Sequence, residues 1–145
     1  MKLHTFGDSH RKYIYCYETD PDSVINKIIF NTGGPWTMSH FGLEKLNLLN
    51  IKDHGVAEGD AVCFCFGEID CRSHLCKPEN FEKHKDLIDY MVPHYFEAIK
   101  ENVEQYENLT TLIYNVLPPC GHFLGGVPLH NQSSNDIYRF IGSDE

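Results

Sequence analysis

Three short stretches of this chain hold the residue types that acyl-transfer chemistry uses. The first is Gly7-Asp8-Ser9-His10, directly after the apolar run Leu3 to Phe6. A serine hydroxyl becomes a nucleophile when it is exposed on a tight turn, a base takes its proton, and N–H donors meet the developing oxyanion. Gly7 permits such a turn, and Asp8 can hydrogen-bond the backbone and stiffen it. A plain Asx or Ser turn at a strand end uses the same residues, so these four alone are a weak signal. The second stretch runs from Asn31 through Gly33-Gly34-Pro35 to Met38. The third runs from Phe64 through Gly67-Glu68-Ile69-Asp70 to Arg72.

The elements that must position these stretches alternate between strand and helix. Strands are expected at Leu3 to Phe6, Tyr13 to Tyr17, Ile28 to Asn31, Ala61 to Phe66 and Thr111 to Val116. The last two are continuous apolar runs, as in strands of a parallel sheet buried on both faces. Thr37 can cap a helix from about Met38 to Leu49, with Met38, Phe41, Leu46 and Leu49 inward. A longer helix is expected from Pro78, with Phe81, Ile88, Met91, Tyr95, Ile99 and Val103 as its core stripe and a kink or split near Met91 imposed by Pro93. The residues after Val116 read as a turn-rich loop, and Ser133 or Ser134 can cap a further helix. This pattern implies an α/β fold: a flavodoxin-like three-layer sandwich around a mostly parallel sheet, in one unit spanning residues 1–145. Ligands of such sheets bind beyond the carboxyl ends of the strands. Gly7 to His10, Gly67 to Asp70 and Pro118-Pro119 are all expected at that edge.

Taken in order and spacing, Gly-Asp-Ser-His, Asn-Thr-Gly-Gly-Pro-Trp-Thr-Met and Phe-Cys-Phe-Gly-Glu-Ile-Asp-Cys-Arg resemble the SGNH/GDSL hydrolase superfamily. They look most like a branch found beside polysaccharide-biosynthesis genes and in large viruses. The resemblance runs from about residue 2 to about residue 119, and Gly67 to Arg72 is its most specific part. It implies a serine esterase acting on esters such as carbohydrate O-acetyl groups. Ser9 would be the nucleophile, and the backbone N–H groups of Ser9 and Gly34 would be oxyanion donors. Gly67, Asp70 and Arg72 would shape the site. The third block usually carries an asparagine donor, and here Ile69 stands in its place. Loss of one such donor costs about 3 kcal/mol of transition-state stabilisation. Arg72, with five N–H donors, can substitute, or can pair with Glu68 or Asp70 to hold the loop.

The superfamily's closing Asp-x-x-His block is missing. No Asp or Glu stands three residues before any of the nine histidines. A chain without that block is expected to be a truncated piece or a natural short form. A truncated piece should expose an apolar sheet face or edge and self-associate. The candidate bases are His122, in the loop after the last expected strand, and His74, after the third block; both also read as ordinary surface histidines. His10 adjoins Ser9, but side chains of neighbouring turn residues diverge. His40, His84 and His94 fall in helices, His4 in the first strand, and His54 before a turn glycine. With no base, the same frame reads as a catalytically inactive glycan-binding or scaffold domain. Cys71, His74 and Cys76 offer soft ligands, but a structural zinc site wants four. Packed free thiols account for them equally well, and no metal or cofactor is expected.

The totals narrow the partners. Lys and Arg number 12 against 21 Asp and Glu, a formal charge of −9. Such a chain is repelled by phosphate backbones and by anionic membrane surfaces, so neither nucleic acid nor membrane is an expected partner. A small-molecule or glycan ester is the expected substrate, and a homo-oligomer the expected assembly. No apolar run approaches the about 20 residues of a bilayer span. The N-terminus has no apolar signal core, so the cytoplasm is the expected compartment. The six cysteines are then expected as free thiols. Cys63 and Cys65, two apart in a strand, should share one face.

Overall fold

A computed structural model gives the fold, and it describes residues 1–8, 24–31, 36–75 and 78–114. The sheet holds β1 (Lys2–Gly7), β2 (Lys27–Phe30), β3 (Ala61–Cys65) and β4 (Thr110–Ile113) in the order β2-β1-β3-β4. Every pair is parallel. Leu3 sits opposite both Ile28 and Ala61, and Cys63 opposite Leu112. This is an α/β fold with the strand order of doubly wound sheets. The expected strand at Tyr13 to Tyr17 and the expected helix after Ser133 lie outside the described residues. Among the described residues, α1 and α3 pack on one face of the sheet.

Strand alternation sorts the side chains. Phe6, Val62, Phe64 and Phe66 face the helices α1 (Met38–Glu44) and α3 (His84–Val103) and pack with Phe41, Leu49, Ile51, Tyr95, Ala98 and Ile99. The Phe41 ring stacks on Phe66 at 5.0 Å between centroids and meets Tyr95 edge-on at 5.9 Å, an offset geometry that aromatic quadrupoles favour. The opposite face carries Leu3, Ala61, Cys63 and Cys65, with Ile25, Ile28 and Tyr114 partly buried against them. Cys63 and Cys65 do share that face, with their sulfurs 3.6 Å apart and neither in a disulfide.

The amino end of the sheet is closed by carboxylates. Asp60, just before β3, accepts from the amide of Lys2 at 3.0 Å and of Ala57 at 3.2 Å. Its own carbonyl accepts from Thr110 N at 3.0 Å. Glu58 accepts from the amides of Glu107 at 3.1 Å and Asn108 at 2.7 Å. These bonds tie the starts of β1, β3 and β4 together.

Several expectations need correction. The helix from Thr37 does start under that residue's cap, with His40 N donating to Thr37 Oγ1 at 3.1 Å. It stops at Glu44, because Lys45 adopts φ +50°. The chain turns there, so Leu49 is buried but Leu46 is 37% exposed. Pro78 opens a short 3-10 turn (Pro78–Lys83), and α3 begins only at His84. Pro93 lies inside an unbroken α3 on its exposed side, where water can serve the carbonyl that proline leaves without a donor. The buried stripe of α3 is Met91, Tyr95, Ala98, Ile99 and Asn102. Ile88 is 42% exposed because the first turns of α3 run past the core. β4 was expected to be buried on both faces but is exposed along its length, as the last strand of the described sheet, paired on one side only.

Candidate active site

The carboxyl ends of β1 and β3 are pinned together more tightly than any side chain would allow. A Cβ on Gly7 would sit 2.0 Å from the Cys65 carbonyl oxygen, so only glycine fits. One residue on, Asp8 N donates to the same carbonyl at 3.1 Å. The Asp8 side chain is buried. Ser9 follows directly, and it lies outside the described residues, as do Gly34 and His122.

After β3 the chain makes the turn that the third stretch encodes. Gly67 takes φ +115°, a conformation that glycine adopts at no steric cost, and opens the single turn α2 (Glu68–Asp70). Cys71 N donates to Gly67 O at 2.9 Å. Residues Cys71–Leu75 then form one π-helical turn, a rare geometry that recurs at functional sites. That turn is held by Asn80 Nδ2, which donates to His74 O at 2.6 Å, and by His84 Nε2 on Leu75 O. The main chain of Arg72 lies in this turn, and its side chain is outside the described set.

Asp70 joins the second and third stretches. Its carboxylate is buried and accepts from Met38 N at 2.6 Å and from Ser39 N at 3.1 Å. Thr37 Oγ1 takes the next amide, His40 N. The first three amides of α1 are therefore all capped within the protein, two of them by an anion at the positive end of the helix. Asp70 therefore holds the start of α1 against the turn that carries Gly67. Of the residues nominated from sequence, the structure brings Gly67 and Asp70 together with the start of α1. It places His74 on the exposed side of the π-helical turn and Ile69, apolar and half-buried, in the turn between Gly67 and Asp70.

Two residues at this end carry buried polar atoms to which the sequence assigned no role. Asn31 follows β2 and donates its backbone N–H to Thr5 O at 3.1 Å, while its Nδ2 is buried without a hydrogen-bond partner. In the sequence it ends an apolar run and opens the second stretch. The Tyr95 hydroxyl is likewise buried and faces the Phe66 amide without the alignment of a hydrogen bond. Burial, then the nearby acidic groups of Cys65, Cys63 and Asp8, push its pKa well above the usual phenol range. Cys63 shifts the other way: its bond to the Cys65 sulfur lowers its pKa against the effect of burial.

Among the described residues no group of three or more His, Cys, Asp or Glu side chains could hold a metal ion. Cys76, weighed as a zinc ligand, lies outside them. Among the same residues no helix is long and apolar enough to cross a membrane. No family model matches the chain, and neither curated proteins nor solved structures yield a match.

Proposed function

We propose that the protein is a serine esterase of the SGNH/GDSL type, acting on small or glycan-borne acyl esters such as O-acetyl groups. The observation that carries this reading is the Asp70 tie. It locks the start of α1, where the second stretch ends, to the turn after Gly67, at the same sheet end where Gly7 and Asp8 lead the chain to Ser9. Parallel α/β sheets place their chemistry at that end.

In this reading Ser9 Oγ attacks the acyl carbon and its proton passes to a base. The carbonyl π pair moves onto oxygen, and the backbone N–H groups of Ser9 and Gly34 receive the resulting oxyanion. Collapse expels the alcohol, which takes the proton, and leaves an acyl-serine. Water then attacks the acyl-serine by the same route, giving a carboxylic acid and free Ser9. The base is a histidine from outside an Asp-x-x-His block, and His122 and His74 are the two candidates. Asp70 acts as a positioning group, because both its oxygens are engaged by the α1 amides. Arg72 either adds a donor or braces the turn.

The competing reading is a glycan-binding or scaffold domain, favoured by Ile69 standing where a donor is needed. Hydrolysis of p-nitrophenyl acetate separates the two. The esterase reading expects Ser9→Ala to abolish protein-catalysed hydrolysis. Equal rates for the two proteins support the binding domain.

A further inference from the structure

The sheet face turned away from α1 and α3 carries two thiols on one strand. Cys63 and Cys65 lie two apart in β3, so both side chains leave the same side of the sheet. Their sulfurs are 3.6 Å apart and share a hydrogen bond. The esterase reading gives neither thiol a part, since its chemistry belongs to the loops beyond the strand ends.

Three features set this pair apart from inert, packed cysteines. The first is distance. Two strand residues advance about 6.6–6.8 Å, the long end of the Cα separation of about 4.4–6.8 Å that a disulfide bridges. The sulfurs can close by rotation about the Cα–Cβ bonds with a small contraction of the strand. The second is thiolate character. The bond to the Cys65 sulfur holds the Cys63 pKa below the usual thiol range against the effect of burial, and the Tyr114 backbone adds to it. The thiolate is the form that attacks an oxidant. The third is access. Each thiol is 4% exposed, yet Leu112, opposite Cys63 in β4 and on the same face, is 42% exposed. Water therefore reaches this face one strand from Cys63. A small neutral oxidant covers the remaining distance when β4, exposed along its length, opens locally.

We propose that Cys63 and Cys65 are a dithiol that a small peroxide converts reversibly to a disulfide within β3. The Cys63 thiolate attacks one oxygen of hydrogen peroxide. The O–O bond breaks, hydroxide leaves and takes up the thiol's proton as water, and Cys63 becomes a sulfenic acid. The Cys65 sulfur then attacks the Cys63 sulfur. The S–O bond breaks, and the departing hydroxide leaves with the Cys65 proton as water. Two thiols are oxidised to one disulfide, and one peroxide is reduced to two waters. The bond acts on the joint between β1 and β3, because Cys65 O receives Asp8 N at 3.1 Å and packs against Gly7. A ring this small restrains the unfolded chain little, so strain in the folded strand decides its effect on stability.

The test treats the folded protein with hydrogen peroxide, blocks the remaining thiols with N-ethylmaleimide in denaturant, and cleaves after glutamate. The fragment 59–68 holds Cys63 and Cys65 and no other cysteine. Mass spectrometry should find it unlabelled and two hydrogens lighter than its reduced form. Dithiothreitol before blocking should restore double labelling. In Cys65→Ser the second sulfur is gone, and dimedone should capture the sulfenic acid on Cys63. The oxidised wild type should melt a few degrees lower and recover with dithiothreitol. A fragment that stays doubly labelled, or that carries sulfinic acid in place of the bond, overturns the proposal. So does a link from either residue to another cysteine. A bond formed with an unchanged melt overturns its action on the β1–β3 joint. None of these outcomes depends on Ser9, so the esterase reading stands or falls separately.

Discussion

The two ends of the sheet solve the same problem differently. At the amino end, backbone donors that the strands leave over are taken by carboxylates. Asp60 and Glu58 each accept two amides and join the starts of the strands. At the carboxyl end one carboxylate, Asp70, does similar work for α1, but Asn31 Nδ2 and the Tyr95 hydroxyl are left buried without hydrogen bonds. Polar groups are expensive to bury unpaired, at about 1–3 kcal/mol each. In the esterase reading, the carboxyl end is the one that receives the substrate. His4 is the exception on the amino side. Its ring is buried with Nε2 3.5 Å from Asp60 Oδ2, and neither ring nitrogen makes a hydrogen bond.

Substitutions can break or sharpen this contrast. The largest effect is expected for Gly7→Ala, whose methyl would overlap the Cys65 carbonyl. Forcing β1 and β3 apart should cost about 3 kcal/mol or more, read as a fall in urea midpoint or outright unfolding. Next is Asp60→Ala, which strands the amides of Lys2 and Ala57 and should cost about 2 kcal/mol by denaturant titration. Asp70→Ala removes a cap from two amides and should cost about 1–2 kcal/mol. Unlike Asp60→Ala, it should also lower esterase activity more than stability explains, since it releases the start of α1 from the Gly67 turn. Equal activity losses from the two would erase the distinction between the ends.

A smaller effect is expected from pH. Burial lowers the His4 pKa below its ordinary 6.5, as do nearby Lys2 and His54, and this outweighs the opposing pull of Asp60. The unfolded chain then binds the His4 proton more readily than the folded one. Stability should be flat above about pH 6.5 and decline as pH falls from there toward the lowered folded value. Asp60 behaves as a depressed acid. Burial raises its pKa, but the Lys2 and Ala57 amides and His4 outweigh that and hold it below 3.8. Its contribution is present above that value and is lost as pH falls further. Melting curves of His4→Gln should lack the first decline and keep the second. The smallest effect is expected for Tyr95→Phe. It removes a hydroxyl that has no aligned partner, so the melting temperature should hold or rise slightly.

What could be read from the residues, and what could not, follows from the range of the interactions. β1, β2 and β3 fall within one residue of the expected strands, because apolar runs and their flanking turn residues are local signals. Thr37 as a cap and Gly67 as a turn are local too. The end of α1 at Lys45 was hidden because a lysine with positive φ carries no sequence mark. It is held there by Glu101 at 2.6 Å and Glu97 at 3.3 Å, more than fifty positions away. Buried Asn102 was missed for the same reason: its partner is the Ile51 amide at 3.0 Å, on another element. At the site, the resemblance nominated Asp70, but its engagement with Met38 and Ser39 spans more than thirty residues and needs coordinates. Asn31 opens the second stretch, but its unpaired side-chain nitrogen shows only in the structure.

The most direct test of the central claim is covalent. An alkyl fluorophosphonate reacts with an activated serine when Oγ attacks phosphorus and fluoride leaves, so the adduct persists for peptide mapping by mass spectrometry. The account expects one phosphonyl group per chain, carried on Ser9 and absent in Ser9→Ala. A folded protein whose Ser9 stays unmodified while p-nitrophenyl acetate is hydrolysed equally by wild type and Ser9→Ala would contradict it.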